Sequence, residues 1–146
     1  PIIGSGVVMQ VDKALALLQR VLDVEYRFIA WYPRLERLMP DSDTAQKVKL
    51  LGQASVRHAD TTMRAMASLH GGGTIPTLDP LLDPVDLKVF FRTQLDYEKL
   101  AKWLYNQAAG LVPQEMVADF RTIAQEEEWH ITLTEAIIQR LEQVPG

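Results

Sequence analysis

Near the C-terminal end of the chain, the positions Phe120, Ile123, Glu127, His130, Thr134, Ile137 and Leu141 recur at helical three-four spacing, apolar at both ends and polar only in the middle. Residues three apart lie side by side on a helix, so Glu127 and His130 present a carboxylate and an imidazole to one point. An ionised carboxylate on a buried stripe neutralises or moves to the surface unless something compensates it, and a bound cation is a common compensation. The pair predicts a buried helix face carrying metal ligands, and it restricts the fold to one that brings further ligands to the same depth.

Similar stripes run through the rest of the chain. A first helix is expected over about 12–38, capped by Asp12, with an inner face of Leu15, Leu18, Leu22, Glu25, Ile29 and Tyr32. Residues 1–10, with Gly4, Ser5 and Gly6, are expected to form a loose lead-in. Pro33 predicts a bend in the first helix, not a break, because Leu35 and Leu38 continue the pattern. The turn from Met39 to Asp43 leads into a second helix over about 43–69, with Val48, Leu51, Ser55, His58, Thr62, Ala65 and Leu69 inside. His70 and the glycines after it end that helix, and His70 itself is read as a capping or solvent-exposed residue. The proline-rich stretch through Pro76, Pro80 and Pro84 is too long for a tight hairpin and long enough to run the length of a bundle. A third helix over about 85–109 carries Phe91, Leu95, Glu98, Ala101 and Tyr105 on one side. Gly110 closes it, and a fourth helix over about 113–143 starts with Pro113 in its first turn. Four long helices with short, long and short connections make a single all-α domain over 1–146, a four-helix bundle with one long crossover.

Composition narrows the chemistry. With no cysteine, a metal here is held by oxygen and nitrogen, and disulfides, iron-sulfur clusters and thiolate zinc sites are excluded. A net charge of −4 without a basic block argues against a nucleic-acid partner. The apolar runs are too short to span a membrane, and the N-terminus lacks the pattern of a secretory signal, so a cytoplasmic location is the expectation.

The two halves share a plan. Glu25 is followed seven residues later by Tyr32, then by His58 and, four residues on, Thr62; Glu98 is followed seven later by Tyr105, then by His130 and Thr134. Two helix pairs packed about a pseudo-two-fold axis would converge Glu25, His58, Glu98, Glu127 and His130 on one central site.

With those residues in place, the chain resembles the ferritin-like superfamily, and within it the di-iron domains of the bacterioferritin and rubrerythrin type. The general pattern is one Glu from each of two helices and a Glu-x-x-His from each of the other two. The resemblance covers about Val11 to Gln143 and implies Glu25, His58, Glu98, Glu127 and His130 as ligands of two iron ions, with manganese or zinc as alternatives. It departs at Ser55-Val56-Arg57-His58, where the second bridging carboxylate is missing. Three carboxylates then face four positive charges, leaving about one charge to be met by another group. Ser55 can hydrogen-bond a water in the absent oxygen's place and leaves room for a small ligand. Asp60 lies on a different side of the helix and is not expected to substitute. Val56 stands where bacterioferritins carry a haem methionine, so no haem is expected.

The resemblance implies a di-iron oxidoreductase or ferroxidase, or an iron-handling protein with an incomplete ligand set. The alternative is a non-catalytic structural or binding module with a single-metal or empty site. No fifth helix is evident after Gln143, so a homodimer or small homo-oligomer is expected in place of a storage cage, with any redox partner or small-molecule ligand undefined. Tyr32 and Tyr105 are read as packing residues or as hydrogen-bond donors and electron sources near the metal. Trp31, Trp103 and Trp129 are assigned to helix surfaces or a subunit contact, and Glu126 and Glu128 to a solvated face.

Overall fold

In the computed structural model, which describes residues 5–145 and their side chains from Gln10 onward, the helical periodicity resolves into α1 (Ser5–Ile29), α2 (Tyr32–Arg37), α3 (Ser42–Ser68), α4 (Leu87–Ala109) and α5 (Val117–Glu142). A 3-10 turn at Gln114–Met116 precedes α5, and no strand occurs among the described residues. α1 packs on α3 and α4, and α5 packs on α4 and α3, which closes a four-helix bundle. Residues 69–86, between α3 and α4, form no helix or strand. They are tied to α1 at Gln19, whose amide exchanges two hydrogen bonds with the Thr74 backbone (2.8 and 2.9 Å), and to α2 at Arg34, which donates to the Leu81 carbonyl at 3.1 Å and pairs with Asp83.

Three expectations change. The first helix starts at Ser5, earlier than Asp12, because nothing between Gly6 and Asp12 interrupts a helix; Asp12 is an exposed residue within it and caps nothing. The part of the lead-in from Pro1 to Gly4 lies outside the described residues. At Pro33 the chain breaks instead of bending. Proline has no N–H and its ring would meet the Ile29 carbonyl, so the α1 ladder stops after Ala30 bonds Tyr26 (3.0 Å) and Trp31 tightens onto Phe28 (3.1 Å). α2 then begins afresh with Pro33 in its first turn. Pro33 is one reason Tyr32 leaves the line of Glu25: its ring stacks on Phe28 at 6.3 Å and lies across Gly52, where an added Cβ would sit 2.1 Å from the ring. Finally, Pro113 (ψ 148°) stands before the 3-10 turn and not inside α5, which starts at Val117.

The other ends follow local chemistry. Asp41 caps α3 by accepting from the Thr44 N–H at 2.7 Å, and Asp86 caps α4 through the Val89 N–H at 3.1 Å. α3 stops when His70, exposed and left-handed at φ 59°, donates to the Ala67 carbonyl while Gly71 donates to Met66 (3.0 and 2.9 Å).

The apolar core is in two parts. One is built around Leu18, Leu22, Met66, Leu104 and Phe120, the other around Phe28, Val48, Leu51, Phe91 and Ile137. Between them, along each long helix, fall Glu25, His58, Glu98, Glu127 and His130, all buried. The fold thus sandwiches a polar layer between two apolar ones.

Candidate metal centre

Each long helix delivers its polar residue to that layer because its stripe is apolar on both sides, so burying the flanks carries the carboxylate or imidazole inside with them. Glu25 comes from α1, His58 from α3, Glu98 from α4, and Glu127 with His130 from α5. Both imidazoles turn Nδ1 inward. His58 Nδ1 lies 3.1 Å from Glu127 Oε1 and 3.3 Å from Glu25 Oε2; His130 Nδ1 lies 3.4 Å from Glu127 Oε2 and 3.8 Å from Glu98 Oε2. The rings stack on each other with centroids 5.3 Å apart. One oxygen of Glu127 therefore faces each imidazole, with a second carboxylate flanking each side.

His58, Glu127 and His130 each offer a donor atom within 4.8 Å of the others, and such a buried group could hold a metal ion. The unsatisfied atoms support the fit. Glu25 Oε2, Glu127 Oε2 and His130 Nε2 are buried and find no hydrogen-bond partner among the described residues. Buried oxygens left unpaired are costly, and a cation between them would remove the cost.

Protonation follows the same crowding. Burial pushes the Glu25 carboxyl up to about 7 despite its interaction with His58. Burial and the facing Glu127 carboxylate push Glu98 well above the usual range, and burial also raises Glu127. At His58 burial disfavours the charged ring, but the bonds to Glu127 and Glu25 outweigh it and lift the pKa to about 11. His130 is the opposite case: burial, with His58 nearby, brings it down to about 4. When the ring is protonated, His58 Nδ1–H can donate toward Glu127 and Glu25 on its inner side.

Glu98 is held from behind. The half-buried Arg27 lies over the Phe90 and Tyr97 rings (4.5 and 4.6 Å) and donates to Gln94 Oε1 at 2.5 Å, and Gln94 Nε2 donates to Glu98 Oε1 at 2.7 Å. Arginine only donates, so it obliges the amide to turn its NH₂ toward Glu98. Tyr105 sets its ring edge-on to His58 at 5.7 Å, fully buried with its hydroxyl unpaired, and the same burial, with Glu25 and Glu127 nearby, raises its pKa well above normal. Thr62 donates to the His58 carbonyl at 2.8 Å.

The structure thus brings the five expected residues into one layer. Tyr105 joins them, while its repeat partner Tyr32 does not, having been displaced at the α1–α2 break. Asp60 points outward and pairs with Arg64. Ser55 is buried on the inner face of α3. Trp103 and Trp129 are half exposed on helix surfaces, Trp129 tilted against His130 at 5.8 Å. Glu128 is exposed and pairs with Lys102. The solvated-face expectation fails at Glu126: its Oε2 reaches His58 Nε2 at 2.8 Å and its side chain is only 37% exposed. It borders a cleft of about 350 Å³, also lined by Arg57, Asp60, Arg64, Asp119 and His58, which opens beside the layer. Gln94 and Arg27 were the other omissions. Gln94, one turn before Glu98 on the same face, carried a readable signal; Arg27 and Glu126 depend on contacts between helices and carried none.

Comparison with protein-family models gives no match, and comparison with curated proteins gives no significant one. Among the described residues, no helix is long and apolar enough to cross a membrane.

Proposed function

We propose that this chain is a ferritin-like metal-binding protein whose buried layer holds two divalent ions, iron by preference, and uses them in oxygen-dependent redox chemistry of the oxidoreductase or ferroxidase class. The observation that carries the proposal is Glu127, whose two oxygens face two different inward-turned Nδ1 atoms, as a bridging carboxylate would. One position then draws on Glu25, His58 and Glu127, the other on Glu98, His130 and Glu127. The ferritin-like topology is supported by the segment 69–86, which joins α3 to α4 without making them a main packing pair and is held along α1 and α2 on the way. We read it as the long crossover between the second and third long helices.

Bound ferrous iron would supply electrons one at a time and a place for dioxygen to accept them. The chain's own residues bind and orient. The two apolar cores flank the layer, Gln94 fixes which Glu98 oxygen faces His130, and Thr62 ties the α3 backbone at His58. The donor set of three carboxylates and two imidazoles suits ferrous iron and also accepts manganese or zinc.

The test is anaerobic loading of metal-free protein with ferrous iron, with metal counted per chain, followed by exposure to oxygen and an ultraviolet-visible spectrum. Ser55→Glu is measured in parallel. Two irons per chain and a ferric absorption band growing in with oxygen are the expected result for the natural sequence. One metal or none, with activity appearing only in Ser55→Glu, would assign the chain instead to the non-catalytic bundles.

A further inference from the structure

We propose that Glu126 is the positioning residue of the His58 metal position: it fixes which nitrogen of His58 is free to ligate, and so makes this position load before the one at His130. The inference rests on the metal-binding reading above.

A neutral imidazole carries one N–H, and the bond made by its outer nitrogen decides where that proton sits. His58 Nε2 lies 2.8 Å from Glu126 Oε2. A carboxylate only accepts, so it keeps the proton on Nε2 and leaves the Nδ1 lone pair directed at Glu25 and Glu127. At His130 the inner geometry is similar, but Nε2 is buried and has no partner among the described residues. Nothing there selects the ligating tautomer. The two halves of the centre match in donor types and differ in what stands behind the imidazole.

Glu126 also bears on the missing carboxylate. With serine at position 55, three acidic groups surround the layer. Glu126 brings a fourth negative charge against the outer edge of His58, still in contact with the cleft. Arg57, exposed, stands 3.9 Å from the same oxygen and offsets part of that charge. If Glu126 served only as a surface partner of Arg57, its removal would leave metal binding untouched.

The test titrates metal-free protein with Co(II), followed by visible absorption, for the natural sequence, Glu126→Ala and Glu126→Gln. Long-range ¹H–¹⁵N spectra of the Zn(II)-loaded proteins report which His58 nitrogen carries the proton. The natural sequence is expected to load in two steps, with the Nε2 proton on His58 seen from the first. Glu126→Ala should weaken the first step by about 10–100-fold and leave the second in place. Glu126→Gln, whose carbonyl still accepts the Nε2 proton, should recover part of the loss. Glu126 is a partly exposed surface residue, and unchanged helical circular dichroism in both variants confirms that the fold is retained. Natural affinity and order in Glu126→Ala would overturn the proposal, as would equal weakening in the alanine and glutamine variants. If the natural sequence takes up no Co(II), the failure belongs to the metal-binding reading, so the two failures are distinguishable.

Discussion

Raising the pH of the metal-free protein from 6.5 to 8.5 is expected to destabilise it, and the structure sets the size. The folded-state pKa of His58 is about 11 against an ordinary 6.5, a raised value. Its contribution is complete below pH 6.5 and is lost as pH climbs toward 11, at about 1.4 kcal/mol per pH unit. Over two pH units that is about 2 to 3 kcal/mol. Glu25, raised from 4.5 to about 7, is stabilising in its protonated form below 4.5 and has lost most of that contribution by 6.5; its remainder, somewhat under about 1 kcal/mol, goes in the same window. Glu98 and Glu127, also raised, act in the same sense. His130, lowered to about 4, costs stability only as pH falls below 6.5, so it is silent here. The sum is about 3 kcal/mol, which for a domain of this size lowers Tm by about 6–12 °C. Thermal melts by circular dichroism, at constant ionic strength after chelation, measure it directly, with His58→Gln as the control that should flatten the profile. Saturating metal should reverse the sign, because the ligands must lose protons to bind. A Tm that stays level or rises between pH 6.5 and 8.5 in the metal-free natural protein would refute the buried, proton-bridged layer.

Two substitutions outside the proposed ligand set probe what supports it. Gly52→Ala drives a Cβ into the Tyr32 ring, and should cost about 1–3 kcal/mol of overpacking, partly offset by a gain of about 1 kcal/mol in helix propensity; urea unfolding checks it, and a net gain in stability would mean Tyr32 does not lie there. Gln94→Leu leaves the Arg27 guanidinium and Glu98 Oε1 without their shared partner and should lower the stability of the metal-free protein by about 1–3 kcal/mol. It should also weaken Co(II) uptake at the His130 position more than at the His58 position, which the same titration and histidine spectra separate.

Much of the fold was legible because each long helix carries a sustained stripe, and periodicity of that length leaves little choice. The layer was legible for the same reason: a Glu or His flanked on both sides by buried apolar residues goes where they go. What escaped the sequence was local or between helices. Pro33 announces a disturbance, but whether a helix bends or breaks depends on whether the next turn finds something to pack on, and Gly52 on α3 offers Tyr32 that place. The early start of α1 is hidden because Gly4 and Gly6 suggest a loose lead-in and Asp12 is a good capping residue, although nothing between Gly6 and Asp12 interrupts a helix. Arg27 sits on α1 while Gln94 and Glu98 share α4, so Arg27's link to Glu98 has no spacing to betray it, whereas the four-residue step from Gln94 to Glu98 is legible.

Glu126 is the most instructive of these. Adjacent helical residues diverge by about 100°, so a sequence reading that places Glu127 inside must place Glu126 outside. Both nevertheless engage His58, because the imidazole has donors on two sides: Nδ1 turns in to Glu127 and Nε2 turns out to Glu126. The ring is clamped between consecutive carboxylates of α5, edge-on to Tyr105 and stacked on His130. The side of the layer that carries Ser55 is thus the side whose imidazole α5 holds twice. Glu126, Glu127 and His130 all belong to α5, so the register of that single helix governs what both imidazoles meet, and a change that rotates α5 should disturb both proposed metal positions while one confined to α3 disturbs only that at His58.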